Sequence, residues 1–417
     1  MGPNHRIDRK TTSVLFALLL VLATASMPLA HAATSSLIAT VNVGGEPSGL
    51  AYDPGTGEVF VANFHSSTVS VISDSTNAVS ATINVGADPE GLAYDSAEGE
   101  VFVTEAGPDI VQVISDKTNA VIANVTVGTT PAGIAYDPGK SELFVVNTDS
   151  QTVSVISDAS NSVTGTVALP AGSYADGITY DSAKGEVFVA DTDLGMVSVI
   201  SDSTNAIVAN VTVASDPVAA AYDSAKGEVF VADDNDGNVS VISDSTNGAI
   251  ATIDVPSGAQ SLAYDSAKGE VFVSPEFSAQ VAVISDSTNA VIGTVSLSPG
   301  VSDTSGGATY DSAKGDVFVA NFGSNTVSVF SGGSASTGPT TATTTSASST
   351  PTSASATSSQ QASSSPSSAS TSSSSSTALS PGYLWVVALS AAVFLALGRG
   401  AARTRRKTFA SSRAVAG

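Results

Sequence analysis

The sequence contains no cysteine, which excludes disulfides, thiol nucleophiles, zinc–cysteine sites and iron–sulfur clusters. A chain of 417 residues buries enough apolar surface to fold without cross-links. Histidine is scarce as well. His5 and His31 lie in an N-terminal segment, and His65 is the only other one. A Ser-His-Asp arrangement would need that imidazole. It sits in a loop, Asn63-Phe64-His65-Ser66-Ser67, so no catalytic residue is assigned. The single tryptophan, Trp385, falls near the C-terminus and leaves the rest of the chain without a tryptophan-derived cofactor. Positive charge is the last scarcity. Residues 33–332 hold six lysines, no arginine and 37 carboxylates, a net of −31. Such a segment repels phosphates, so nucleic acid is excluded as its partner, and cations or a cationic protein suit it.

Long apolar runs occur only at the two ends. Residues 14–23 follow Arg6, Arg9 and Lys10 and precede the small-x-small tripeptide Ala30-His31-Ala32. This order predicts a signal peptide over residues 1–32. Residues 383–397 form the second run and are followed by Arg399, Arg403, Arg405, Arg406 and Lys407. The run is short for a span but near enough with its small flanking residues, and the basic cluster would stay cytoplasmic. Residues 381–398 are therefore expected to anchor the chain in a membrane and 399–417 to form a cytoplasmic tail. Residues 331–380 are almost wholly Ser, Thr, Ala and Pro. Such a tract cannot bury a core and is expected to be a disordered stalk.

Between the ends, residues 33–330 repeat. A unit of the form Ala-Tyr-Asp, a short turn, Val-Phe-Val and Val-Ser-Val-Ile-Ser-Asp recurs with its tyrosine at Tyr52, Tyr94, Tyr136, Tyr180, Tyr222, Tyr264 and Tyr310. The spacings are 42, 42, 44, 42, 42 and 46 residues. Turn residues cut each unit into four strands, A to D. Strands B and C are apolar on both faces, as strands enclosed on both sides are. Four strands in about 42 residues is the spacing of a β-propeller blade. The seventh copy lacks strand D, and the orphan segment 37–44 matches it. The expectation is an all-β, seven-bladed propeller closed by its N-terminal strand, which leaves no sheet edge open within the ring.

The Val-Phe-Val-Ala-Asn of residues 59–63 and 317–321, with the Val-Ser-Val-Ile segment and its following Asp-Ser-Thr-Asn, resembles the YVTN-type β-propeller repeat. That resemblance implies the fold and a surface location, as in archaeal surface-layer and other exported proteins, and no shared catalytic set. The chain departs from the motif in having Val or Leu at its first position. Its Asn is replaced by Glu105, Asp191, Asp233 and Pro275 in four copies. The C-terminal order of Ser/Thr tract, Pro-Gly-aromatic, apolar run and basic tail also resembles archaeal sorting signals. That resemblance implies a lipid in place of a retained helix. Tyr383 stands where the best-known signal has Phe.

Repeated Asp and Gly read as turn formers. The positions that differ between copies read as candidates for function. In a propeller the D–A and B–C loops share one end, which here holds fifteen acids, among them Asp193, and no lysine. All six lysines belong to the other end. The residues closing strand B, Asn63, Glu105, Asn147, Asp191, Asp233 and Asn321, could form a ring at the channel. Asp233-Asp234-Asn235-Asp236 resembles a calcium loop in composition without EF-hand spacing. Sequons at Asn124, Asn210 and Asn238 are candidate glycosylation sites. The expected function is a non-enzymatic propeller for binding, adhesion or envelope structure, held outside the cell by a helix or lipid, needing no cofactor beyond possible calcium. The alternative is a hydrolase or lactonase with a carboxylate-bound metal in the channel.

Overall fold

The computed structural model describes residues 35–331, apart from 257, 277, 299, 300 and 302–305. The expected signal peptide, the stalk beyond Ser331, the anchor and the tail lie outside those residues. Among the described residues no helix is long and apolar enough to cross a membrane.

The chain begins with β1 (Ser36–Asn42), followed by β2 (Pro47–Asp53), β3 (Glu58–Asn63), β4 (Thr68–Ser73) and β5 (Ala78–Asn84). β2 to β5 pair in sequence as one antiparallel sheet, and the pattern recurs to give seven sheets of four strands. The last sheet is different. Its strands Ala308–Asp311, Asp316–Asn321 and Thr326–Ser331 are completed by β1, which pairs antiparallel with Thr326–Ser331. Ser36 lies opposite Ser331 and Val41 opposite Val327. The first strand thus supplies the outer strand of the last blade, as the truncated seventh copy predicts.

Burial explains the strand composition. In β3 every residue after Glu58 is buried, whereas β5 is exposed except at Ala81 and Ile83. Each strand B carries one fully enclosed phenylalanine: Phe60, Phe102, Phe144, Phe188, Phe230, Phe272 and Phe318. Phe60 and Ala62 pack on Val101 and Val103 of the next blade. Val59 and Val61, on the opposite face of the same strand, pack on Phe318 of the blade before. Phe102 meets Leu143 and Val145 in the same way, Phe188 meets Val229 and Val231, and so on around the ring. The core is therefore seven repeated seams between blades, and a strand with two enclosed faces has to be apolar on both. Burying a phenylalanine stabilises by about 2–3 kcal/mol, so each seam contributes on that scale before its valines are counted.

The turns are equally regular. Gly57, Gly99, Gly185, Gly227, Gly269 and Gly315 take φ of 66–75° in the A–B turns. Asn77, Asn119, Asn161, Asn205, Asn247 and Asn289 take φ of 47–52° in the C–D turns, a region that Asn tolerates better than most residues. The recurring Asp-Ser-Thr-Asn is the signature of that turn.

Candidate functional site

The ring of residues that close strand B is enclosed. Asn63, Glu105, Asn147, Asp191, Asp233 and Asn321 are each at most 1% exposed. Asn63 Nδ2 donates to Thr68 Oγ1 at 3.1 Å and Ser70 Oγ at 2.9 Å. Asn321 binds Thr326 and Ser328 in the same way, each at 2.9 Å. Asn147 repeats this with Thr152 and Ser154, and its Oδ1 accepts the Gly128 N–H at 3.1 Å. Glu105 Oε1 accepts the Gly86 N–H at 2.8 Å. Asp191 accepts the Tyr174 N–H at 3.1 Å, and Asp233 accepts the Ser240 hydroxyl at 2.7 Å. A Cβ on Gly44 would lie 2.6 Å from Asn63 Cγ, so glycine lets the D–A loop close over this side chain. The ring fastens each D–A loop to strands B and C and is cut off from solvent in the channel.

Burial sets the acidity of two members. It raises the Glu105 carboxyl to about 7 against the opposing Gly86 N–H. It raises Asp233 to about 7 as well, against hydrogen bonds from Ser240 and with a small push from Asp236. Both lie at the position where blades one, three and seven carry a neutral Asn.

The remaining acids of this end also serve the loops. Asp109 Oδ1 accepts the Thr130 N–H at 2.9 Å, Asp149 Oδ2 accepts the Thr130 hydroxyl at 2.7 Å, and Asp236 Oδ2 accepts the Ser215 N–H at 2.9 Å. Asn235 donates to Asp216. Glu46, Asp88, Asp109 and Asp216 hold φ of 55–60°, where short polar side chains are tolerated. Asp233 turns inward and Asp236 turns to the D–A loop, so the Asp233–Asp236 segment spreads its carboxylates. Among the described residues no three His, Asp or Glu side chains are gathered as metal ligands. Asp149, Asp193 and Asp236 are exposed, Asp234 is half-buried, and Asp303 lies outside the described residues. Exposed His65 occupies the B–C loop of the first blade. Of the sequons, Asn124 and Asn210 are exposed on strand D, while Asn238 opens a strand C with its Oδ1 enclosed.

The opposite end corrects the charge asymmetry read from the lysines. Five blades place three carboxylates there, the second places four and the seventh two. Those 21 carboxylates against six lysines give −15, the same formal charge as fifteen acids without lysine. Sequence reading missed what these residues do together. Asp53 Oδ1 accepts the Gly55 N–H at 2.7 Å, and Asp95, Asp137, Asp181, Asp223, Asp265 and Asp311 repeat that bond within 3.0 Å. Tyr94, Tyr136 and Tyr180 donate to the C–D turn carboxylates Asp116, Asp158 and Asp202 of their own blades at 3.1–3.3 Å. Each phenol also stands beside the A–B turn Asp of the preceding blade, Tyr94 by Asp53 and Tyr52 by Asp311 across the closure. Burial and then these carboxylates push the tyrosines far above their ordinary range. Lys140, Lys226 and Lys314 reach to Asp202, Asp286 and Asp74 of the following blade at 3.0–3.8 Å. The constant 22-residue step from Tyr to its own Asp was visible in the sequence. The bond to the preceding blade was not.

No protein-family profile and no curated protein matches the sequence. Among solved structures 1675 chains match, so the architecture is common. One is hydrazine synthase from Kuenenia stuttgartiensis, which superposes with a TM-score of 0.61 at 15% identity, over 68% of this chain and 95% of that one. At that identity the likeness shows the fold. The fold is a seven-bladed β-propeller.

Proposed function

We propose that this chain is an exported propeller held at the cell surface, which binds or scaffolds and does not catalyse. The observation that carries the reading is the commitment of the strand-B ring to loop hydrogen bonds. Its carboxylates and amides are enclosed and partnered, so a channel hydrolase would have to break them to reach a substrate. The likeness to hydrazine synthase is one of fold and brings no activity with it. What remains available at the D–A and B–C end is exposed acid such as Asp149, Asp193 and Asp236, which suits a cationic partner, a neighbouring envelope protein or calcium. The YVTN-type repeat, the N-terminal export pattern and the Ser/Thr tract before a basic-flanked apolar run support the surface location.

Protease added to intact cells should release a fragment that ends within residues 331–380, because an exposed tract without a core is cut first. Release only after lysis would place the propeller inside and sink the reading. Calcium titrated against the full chain at fixed ionic strength then separates a specific cation from screening. A rise in Tm that Asp193→Asn and Asp236→Asn reduce would make calcium the ligand, and a rise matched by sodium chloride would leave a cationic protein.

A further inference from the structure

The seven seams share one plan at the A–B and C–D end, but the turn residue three after the Asp varies. It is Thr56 in the first blade, Glu98 in the second, and Lys140, Lys184, Lys226, Lys268 and Lys314 in the others. In the first seam the Thr56 hydroxyl donates to Asp53 Oδ2 at 2.5 Å. In three others the lysine bridges to the next blade. Lys268 lies 3.6 Å from its own Asp265. The seam between blades two and three alone has an acid at this place.

Around that seam Asp95 is fully enclosed. Its Oδ1 accepts the Ala97 N–H at 2.7 Å, and its Oδ2 has no hydrogen-bond partner. Asp158 of the third blade is 3% exposed and faces Asp95 across the boundary. The Tyr136 hydroxyl stands between them and donates to Asp158 at 3.3 Å. One phenol proton serves one carboxylate, so a second donor is missing. Glu98 and Glu100 of the second blade and Glu142 of the third add negative charge from their own strands and turns. Ser141 and the Ala159 N–H help Asp158, and Asn161 helps Glu100. Lys140, the nearest cation by position, is engaged with Asp202 at 3.0 Å in the following seam.

We propose that the boundary between the second and third blades is a proton-binding seam. Asp95 and Asp158 share one proton there, in the place that a lysine charge or a threonine hydroxyl takes elsewhere in the ring. The seam is closed when protonated and opens first as pH rises. Burial, and then the Asp95 carboxylate, hold the Asp158 carboxyl above its ordinary range. A carboxyl raised in this way stabilises the fold fully below its unfolded value, and the contribution is lost as pH rises through the folded one. The pair titrates as a unit.

Hydrogen exchange of the full chain, corrected for intrinsic rates, tests this. The comparison is between strand A of the third blade (Pro131–Asp137) and strand A of the fourth (Ala175–Asp181). The protection ratio of third to fourth should fall about tenfold between pH 5 and pH 8, the change that one unit of pKa difference produces. Glu98→Lys should hold the ratio constant by restoring the lysine, and Asp158→Asn should hold it by removing the charge. Glu98→Thr, the residue of the first blade, serves if the lysine variant fails to fold. A ratio that does not change with pH in the wild type, or that falls equally in the variants, overturns the proposal.

Discussion

The two ends of the propeller carry the same formal charge and use it differently. At the A–B and C–D end the acids repeat from blade to blade, and the same Asp-to-turn and Tyr-to-Asp bonds recur. At the D–A and B–C end the acids vary, yet Asp109, Asp149, Asp191 and Asp236 each hold a neighbouring loop by its own bond. Repetition therefore marks structure reliably. Variation does not mark function with the same reliability, because a loop can be fastened by Asn, Asp or Glu. Function at the variable end has to be sought among side chains that are both variable and exposed.

Ring closure, on which both ends depend, gives the largest effect. Deleting residues 35–44 removes the strand that covers Thr326–Ser331 and with it the burial of Leu37 and Val41. The loss is about 3 kcal/mol or more from those two side chains, and an unpaired edge recruits other chains. Light scattering should show oligomers or aggregates. An unchanged monomer would break the account of both ends.

Single substitutions should then separate the ends. Asp137→Ala strips the turn bonds to Gly139 and Lys140 at a fully enclosed site and should cost about 2–3 kcal/mol in denaturant unfolding. Asp234→Ala, half-buried at the other end, should stay within about 0.5 kcal/mol. Equal losses would erase the distinction.

Two glycines sharpen it. Gly185 and Gly195 have φ of 66° and 60°, so alanine strains both backbones. A Cβ on Gly185 would also lie 2.6 Å from Asp202 Oδ2, while at Gly195 the nearest atom is 3.8 Å away. Gly195→Ala should cost about 1 kcal/mol, and Gly185→Ala about 1 kcal/mol more because Asp202 must move.

The smallest effect is a pH slope at the variable end. Glu105 and Asp233 are raised by burial to about 7, so the folded protein holds these protons more tightly than the unfolded chain. Their stabilisation is complete below their unfolded values and is lost as pH rises through about 7. Glu105→Gln keeps the acceptor for Gly86 and cannot titrate. Its Tm should exceed that of the wild type by about 2–4 °C at pH 8, with the gap closing by pH 4. A gap that widened toward acid would reverse the sign and refute the buried-carboxyl reading.

Most of the frame could be read before any coordinates. The expected strands of residues 58–62 and 68–73 match β3 and β4 to within a residue. Period-two alternation, Asp-x-x-Asn turns and a missing last strand are local or countable signals. The candidate ring was legible as a set of positions but not in its direction. Asn63 and Glu105 close a strand whose partner strand A shifts register between Pro47 and Leu50 or Pro89 and Leu92, and a pattern of residues does not say what covers a strand end. Gly44, Gly86 and Gly128, each nineteen residues before the polar side chain they cover, were the available clue. The tyrosine bonds to the preceding blade join residues about forty positions apart through closure of the ring, which no local spacing reveals.

Closure itself admits one direct measurement. The Oγ atoms of Ser36 and Ser331 lie 3.2 Å apart across the pairing of first and last strands, and the chain has no native cysteine. Ser36→Cys combined with Ser331→Cys should therefore form one disulfide within the molecule, close to the geometry the bond requires. The account predicts a monomer with no free thiol after mild oxidation and a Tm above that of its reduced form. Two unreacted thiols, or disulfides formed only between molecules, would contradict a ring closed by its N-terminal strand.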